Sequence, residues 1–338
     1  MSALETRINA KAPEARVPDV RSRRAVRNRW FAILALVFAV AWPLMAANNF
    51  YMTLGTMIVL SMIGTVSLNL IIRTGHVSLA HGAFMGVAAY ACVLLQTALH
   101  WPFLPALLAG CVASGLLALV LGPIVLRLTG KYFVLVTFLL GEILRLIFVE
   151  WEPVTGGSNG IQNIPLGLPF FSSPTAFYYF CLAAALLAIG IAWRLLLSET
   201  GRAIDAVREA DSIAECSGVP VIRLKVMVFV IACALVGLQG GLQAQLVHAI
   251  DPTAFNMDVS LAMVVMNVLG GMYYLVGPLL GTVFMVALPE LLRGYVELQQ
   301  IIFGIILIVV MAVLPGGMID LAALLRRVLF KSHARSQA

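Results

Sequence analysis

Glu142 and Arg145 stand three residues apart inside an otherwise apolar stretch, FVLVTFLLGEILRLIFV. On a helix that spacing puts both on one face, where they can pair. A charge in hydrocarbon is costly, so an intramembrane Glu and Arg are functional candidates by default. Two readings stay open: the pair lines a polar pathway, or it is an ion pair that locks two helices together. His76 and His81 flank the start of another apolar stretch. Their separation of five residues does not match the spacing of four that places two metal ligands one turn apart. Each reads as an interfacial histidine near a span end. Asn69, Gln239, Gln243, Gln245 and Asn267 interrupt apolar runs and are expected to bond across helices, with a minority meeting a transported molecule. H-E-x-x-H, G-x-S-x-G and the P-loop pattern are all absent from the chain. No catalytic constellation is expected, and nucleotide binding through a P-loop would have to occur on another polypeptide. Cys92, Cys111, Cys181, Cys216 and Cys233 form no C-x-x-C pair, so neither a metal site nor a disulfide framework is expected, and all five read as small packing residues.

The elements that must hold these groups are membrane helices. Of the 338 residues 61% are hydrophobic and 11% charged, and the mean hydropathy is +0.99. A soluble chain would carry roughly 25% charge. The apolar runs do not alternate with polar residues, which excludes a β-barrel. By the length rule of roughly 17–25 residues per span, about ten segments qualify. They lie near 30–47, 50–72, 77–98, 102–126, 132–149, 175–197, 226–247, 259–276, 278–293 and 300–318. The fold class is therefore an all-α polytopic membrane protein of about ten transmembrane helices, some of them broken. The net charge of +6 comes from Lys and Arg placed between spans and in the tails, a pattern that sets topology and does not point to nucleic acid. The basic connections hold Arg73, Arg127 with Lys131, and Arg202, Arg208, Arg223 with Lys225. Together with both tails they fall on one side if ten spans are counted, which puts the N- and C-termini in the cytoplasm. The domain division is a basic tail over 1–29, a membrane domain over 30–320 and a second basic tail over 321–338.

Three stretches break the apolar pattern. TGHVSLAHGAFMGVAAY opens the third segment and contains a G-x-x-x-G pair at Gly82 and Gly86; GGMYYLVGPLLG carries a second at Gly277 and Gly281. Paired Gly-interrupted segments can mark discontinuous helices around a midplane site, or simply close helix packing. The connection over 150–174 is long and rich in Gly, Pro, Asn and Ser, so it turns repeatedly on the outer side. The segment 198–225 is polar and of mixed charge. Thr200 is expected to cap a helix there, with Ala203, Ile204, Val207 and Ile213 as its apolar side. Gly218 is the expected C-cap, with Pro220 preventing continuation.

Taken together, GHVSLAHGAFMGVAAY, GKYFVLVTFLLGEILRLI with TGGSNGI, SETGRAIDAVREADSIAECSGV and LGGMYYLVGPLLG resemble the permease subunits of bacterial ABC importers for branched-chain amino acids, the larger of the two permeases in particular. The resemblance covers about Leu68 to Asp320. It implies a multi-pass inner-membrane protein that works with a second permease, two ATPase subunits and a periplasmic solute-binding protein. ATP and Mg would be bound by the ATPases and no cofactor by this chain. The implied substrate pathway takes in His81, Gly82, Gly86, Glu142, Arg145, Gly156, Gly157 and Asn159. The implied ATPase-coupling residues are Gly201, Arg202, Arg208, Glu209, Glu215 and Gly218. The E-A-A-x-x-x-G coupling pattern of ABC importers is matched only loosely: Glu209 and Ala210 fit, Asp211 replaces the second alanine, and Glu215 stands in place of the glycine. Related permeases carry urea, short amides or other amino acids. An ion-coupled carrier working alone, or a passive channel, would have no need of the segment 198–225.

Overall fold

A backbone in hydrocarbon can satisfy its N–H and C=O groups only within its own segment, so the apolar stretches fold as helices. The computed structural model describes residues 36–46 and 48–292, together with seven scattered positions between 301 and 318. The basic tails 1–29 and 321–338, and most of the last apolar segment near 300–318, lie outside the described residues. The chain divides into two compact units, Met1–Met45 and Ala46–Ala338. In the first, helix α1 (Leu36–Met45) stacks Phe38 edge-on against Trp42. The second contains α2 (Asn49–Ile72), α3 (His81–Thr97), α4 (Phe103–Val125), α5 (Lys131–Glu150), α6 (Pro174–Leu197), α7 (Glu199–Glu209), α8 (Asp211–Cys216), α9 (Val221–Val247), α10 (Met257–Gly270) and α11 (Val276–Leu291).

Among the described residues five helices, α2, α4, α5, α6 and α9, are long and apolar enough to cross a bilayer. The third and eighth expected spans become shorter helices of 17 and 14 residues, and the ninth is a helix of 16 residues shifted to start at Val276. Part of the third and eighth runs is spent on backbone that is not helical. Gly75 takes a φ of +84° after α2, and residues 76–80 stay extended or bent before α3 begins. Gly271, at φ +110°, ends α10 in the same way. Such backbone is tolerated at membrane depth only where protein covers it, and Thr74, His76, Ser78, Leu79 and Ala80 are all buried.

The central helix is α9, at 27 residues about 40 Å long. It packs on α2, α3 and α4, while α2 also meets α6, α10 and α11. Lipid tails are as apolar as leucine, so helices associate here by close contact and hydrogen bonds. A methyl group on Gly240 of α9 would collide with the Met85 carbonyl of α3. Ser114 of α4 sits where those two helices meet, with its hydroxyl 3.1 Å from Phe84 O and 2.9 Å from Cys233 O.

The connections collect at two ends. At one end the α2–α3 turn, the α4–α5 turn, α7 with α8, and the α10–α11 turn lie together. Arg73 donates to Tyr273 O at 2.7 Å, the Arg208 guanidinium lies over the Tyr273 ring, and His76 stacks edge-on with Phe133. At the other end the connection 151–173 meets the chain that follows α9. Ile161 and Gln162 pair antiparallel with Ile250 and Ala249, Ile164 N–H donates to His248 O, and Gly167 N–H donates to the Gln245 side chain.

Candidate functional site

His81 is the first residue of α3 and is fully buried, so it is an inter-helix group, not the interfacial one its position near a span end suggested. Ser67 Oγ lies 2.7 Å from Gly64 O and 2.8 Å from His81 Nε2. A hydroxyl has one proton, which goes to the carbonyl; the His81 Nε2–H then donates to Ser67, and Nδ1 is left as a bare, buried acceptor. The next residue, Gly82, donates its N–H to Ser260 Oγ at 2.8 Å, and a methyl there would sit 3.0 Å from Asn256 O. Asn256 caps α10 by accepting from Val259 N–H. The N-termini of α3 and α10 therefore meet inside the protein, each carrying the partial positive charge of a helix start.

A narrow crevice opens beside this meeting point, lined by Leu79, Ala83, Phe138, Gly141, Glu142, Phe255, Asn256 and Met257. Glu142 is the one carboxylate of that lining. Arg145 Nε lies 3.0 Å from each of its oxygens, and the two side chains keep 37% and 26% of their surface exposed. Both belong to α5, so the pair does not lock two helices together, and that reading falls away. Gly86 lets Phe255, which lines the crevice, press against α3: a methyl there would come within 2.8 Å of Phe148 and 2.9 Å of Phe255. The Tyr90 ring stacks on both. Gly82 and Gly86 thus act by letting residues 252–257 press against α3, which is the close-packing reading of the G-x-x-x-G pair.

Gly156, Gly157 and Asn159 are not brought to the crevice. They lie beyond Phe148 along α5, in a turn anchored by Thr155, whose hydroxyl reaches Phe148 O at 2.6 Å. Gly156 and Gly157 have φ of +78° and +60°. Asn159 is exposed, and its carbonyl accepts from Gln162.

The polar segment folds as two helices. Ser198, not Thr200, precedes the first turn of α7, which starts at Glu199. Ile204 and Val207 are buried, and Gly201 lies tightly under the Leu196 carbonyl. Ile213 is a correction: it belongs to α8 and is 68% exposed, and Ala214 takes the buried position. Arg202, Glu209, Glu215 and Gly218 are exposed. Gly218 closes α8 with a φ of +86° and a bond from its N–H to Glu215 O. Cys216 is exposed as well, against the expectation of a packing role, while Cys92, Cys181 and Cys233 are buried.

Two cations named in the sequence only as topology markers have specific partners. Lys225 is 3% exposed and bonds Asp211 at 2.5 Å, which ties the start of α9 to α8. Burial, and after it the Lys225 ammonium, hold the nearby His76 imidazole below its ordinary range. Arg73 bonds Tyr273 O and, through Nε, Asn69 Oδ1 at 3.1 Å. Asn69 then bonds Asn267 Oδ1 and Met272 O, as expected for polar groups facing across helices. No group of three metal-ligating side chains occurs among the described residues.

Apolar helices, one short helix whose start is buried, polar junctions and a charged segment at one end define a multi-pass α-helical membrane protein. The chain belongs to the family of permease components of branched-chain amino acid transport systems, which matches residues 49–311. It is 30% identical over 326 residues to the high-affinity branched-chain amino acid transport system permease protein LivM of Salmonella typhimurium, covering 88% of this chain and 76% of that protein. The LivM protein of Escherichia coli is 28% identical with the same coverage. The ribose import permease protein RbsC of Bacillus subtilis is 28% identical over 268 residues, covering 71% of this chain and 76% of that protein. No solved structure gives a significant match.

Proposed function

We propose that this chain is a permease subunit of an ATP-driven ABC importer and forms part of the path that branched-chain amino acids take across the bacterial inner membrane. A second permease completes the path, two ATPase subunits hold ATP and Mg, and a periplasmic binding protein delivers the cargo. The ten-span arrangement with both termini in the cytoplasm belongs to this reading. It is supported by the charged connections: those rich in Lys and Arg gather with α7 and α8, while 151–173 and 248–256 gather at the opposite end.

The observation that carries the reading is the α7–α8 segment. It stands between two spans with Ile213, Glu215 and Gly218 facing solvent, and it touches the α10–α11 turn through Arg208 over Tyr273 and the start of α9 through Asp211 and Lys225. A carrier driven by an ion gradient needs no such surface. In the importer it receives the ATPase. Gly201 and Gly218 shape it, and Arg202, Arg208, Glu209 and Glu215 supply its charge.

On the path itself, an aliphatic amino acid presents a carboxylate, an ammonium and an apolar side chain. The buried start of α3 suits the carboxylate. Glu142 suits the ammonium, with Arg145 holding the Glu142 carboxylate in place. His81, Gly82 and Gly86 set the crevice wall, while Gly156, Gly157 and Asn159 shape the outer approach. The two LivM relatives are named for branched-chain amino acids and the RbsC relative for ribose, so the assignment of cargo rests on the first two.

The test is purification of the tagged chain from its native membrane. Co-purification of a P-loop ATPase and a second permease, with leucine uptake in vesicles that depends on ATP and on a binding protein, is the expected result. Full uptake by this chain reconstituted alone overturns it.

A further inference from the structure

The coupling segment is joined to the membrane core by one continuous polar string. Arg208 of α7 pairs with Asp205 at 3.5 Å and lays its guanidinium over the Tyr273 ring, 4.9 Å from the centroid. Tyr273 belongs to the α10–α11 turn, and its carbonyl accepts from Arg73 Nη2 at 2.7 Å. Arg73 ends α2 and donates a second bond from Nε to Asn69 Oδ1 at 3.1 Å. Asn69 donates to Asn267 Oδ1 at 3.0 Å, and Asn267, fully buried in α10, donates to Thr65 O at 3.0 Å and Met263 O at 2.9 Å. The string enters α10 at Asn267, about two turns from Ser260 and three from Asn256, where these residues meet Gly82 beside the crevice.

We propose that Arg73 is a positioning residue for transport: its forked guanidinium fastens the α10–α11 turn to the end of α2 and passes displacement of α7 to α10. The inference rests on the importer reading above. A planar fork suits this place because one side chain must hold two acceptors, a carbonyl and an amide oxygen, in fixed relative positions. Asn69 and Asn267 have no comparable freedom, since each is already committed to two partners in the core. Motion imposed at Tyr273 is therefore passed on instead of being absorbed by local slack. The exposed turn and the buried asparagines divide the labour, the first yielding to α7 and the second moving with α10.

The experiment uses the complete complex in proteoliposomes, with the binding protein and labelled leucine as the probe, and reads leucine transported per ATP hydrolysed. Arg73→Gln and Tyr273→Leu are expected to keep the ATPases bound and hydrolysing while that ratio falls roughly fivefold or more, the lower range of site-to-site coupling. Arg73→Lys keeps the charge but loses the fork, and the ratio is expected to stay low; full recovery with Lys overturns the proposal, because it makes charge alone sufficient. Arg127→Gln, an exposed cation outside both the string and the segment 198–225, should leave the ratio unchanged. If Arg73→Gln does not assemble, Tyr273→Leu decides, since Tyr273 is 55% exposed and its removal leaves the core intact. An unchanged ratio in Tyr273→Leu, or an equal fall in Arg127→Gln, overturns the relay. Wild-type vesicles that retain no ATPase and take up no leucine overturn the importer reading instead.

Discussion

Cys216 offers a direct chemical handle on sidedness, because among the described residues it is the exposed thiol and it ends α8. A membrane-impermeant maleimide should label it in inside-out vesicles and leave it unlabelled in intact, right-side-out ones; the reverse pattern would place α7 and α8 outside. Glu142 is the second residue to probe. Glu142→Gln keeps the shape and removes the charge facing the crevice, so leucine uptake is expected to fall roughly tenfold or more, each tenfold corresponding to about 1.4 kcal/mol. Unchanged uptake at normal expression would remove Glu142 from the path. Lys225 is 2% exposed at its side chain and Asp211 45%, so the two halves of their pair should not respond alike. Asp211→Asn strands a buried ammonium and should cost on the order of 3–5 kcal/mol, seen as a lower unfolding temperature in detergent. Lys225→Met leaves a carboxylate that water can reach and should cost clearly less. The Glu142–Arg145 pair was legible in the sequence because its partners are three residues apart. Arg73 and Lys225 were legible only as charges, since their partners lie 200 and 14 residues away and nothing local in the sequence names them.

At the scale of elements, hydropathy and length located the helices well. The runs at 50–72, 102–126, 132–149 and 175–197 correspond to α2, α4, α5 and α6 within a residue or so at each end. The run that began at 226 starts earlier, at Val221, because Pro220 caps α9 and the charged Arg223 and Lys225 are taken into its first turns. What could not be read was where α3 begins and where α10 ends. Their neighbours are as apolar as they are, and the backbone leaves the helix there to satisfy contacts with a distant helix. The glycines hinted at the breaks without placing them. Ile213 escaped for a different reason: Ala210 is extended, with φ −162° and ψ +104°, and starts a new helix on which Ala214 faces inward and Ile213 outward. Its exposure makes a prediction. Ile213→Glu should leave stability within about 0.5 kcal/mol, as exposed substitutions do, and should reduce the ATPase retained on purification. Gly240→Leu belongs to the same scale. It should push α9 off α3 and destabilise the chain by about 1–3 kcal/mol, as overpacking does, measured again as the unfolding temperature in detergent.

At the scale of the whole molecule, the charge asymmetry of the connections and the packing agree. Arg73, Arg208 and Lys225 converge at one end, and the stretch with Asp251 joins the long connection at the other. This much of the architecture followed from the placement of Lys and Arg alone, because topology is set by charge in short loops and not by packing. The pairing of Ile161 and Gln162 with Ile250 and Ala249 carries the architecture one step further. A protein that lands on the long connection cannot shift it without dragging residues 250–256, and these run straight into the start of α10. The other end of α10 is held by Asn267 and the turn at Tyr273. One short rod is thus held near both of its ends, and in the proposed importer the arrival of cargo at one and the spending of nucleotide at the other become opposing pulls on the same fourteen residues.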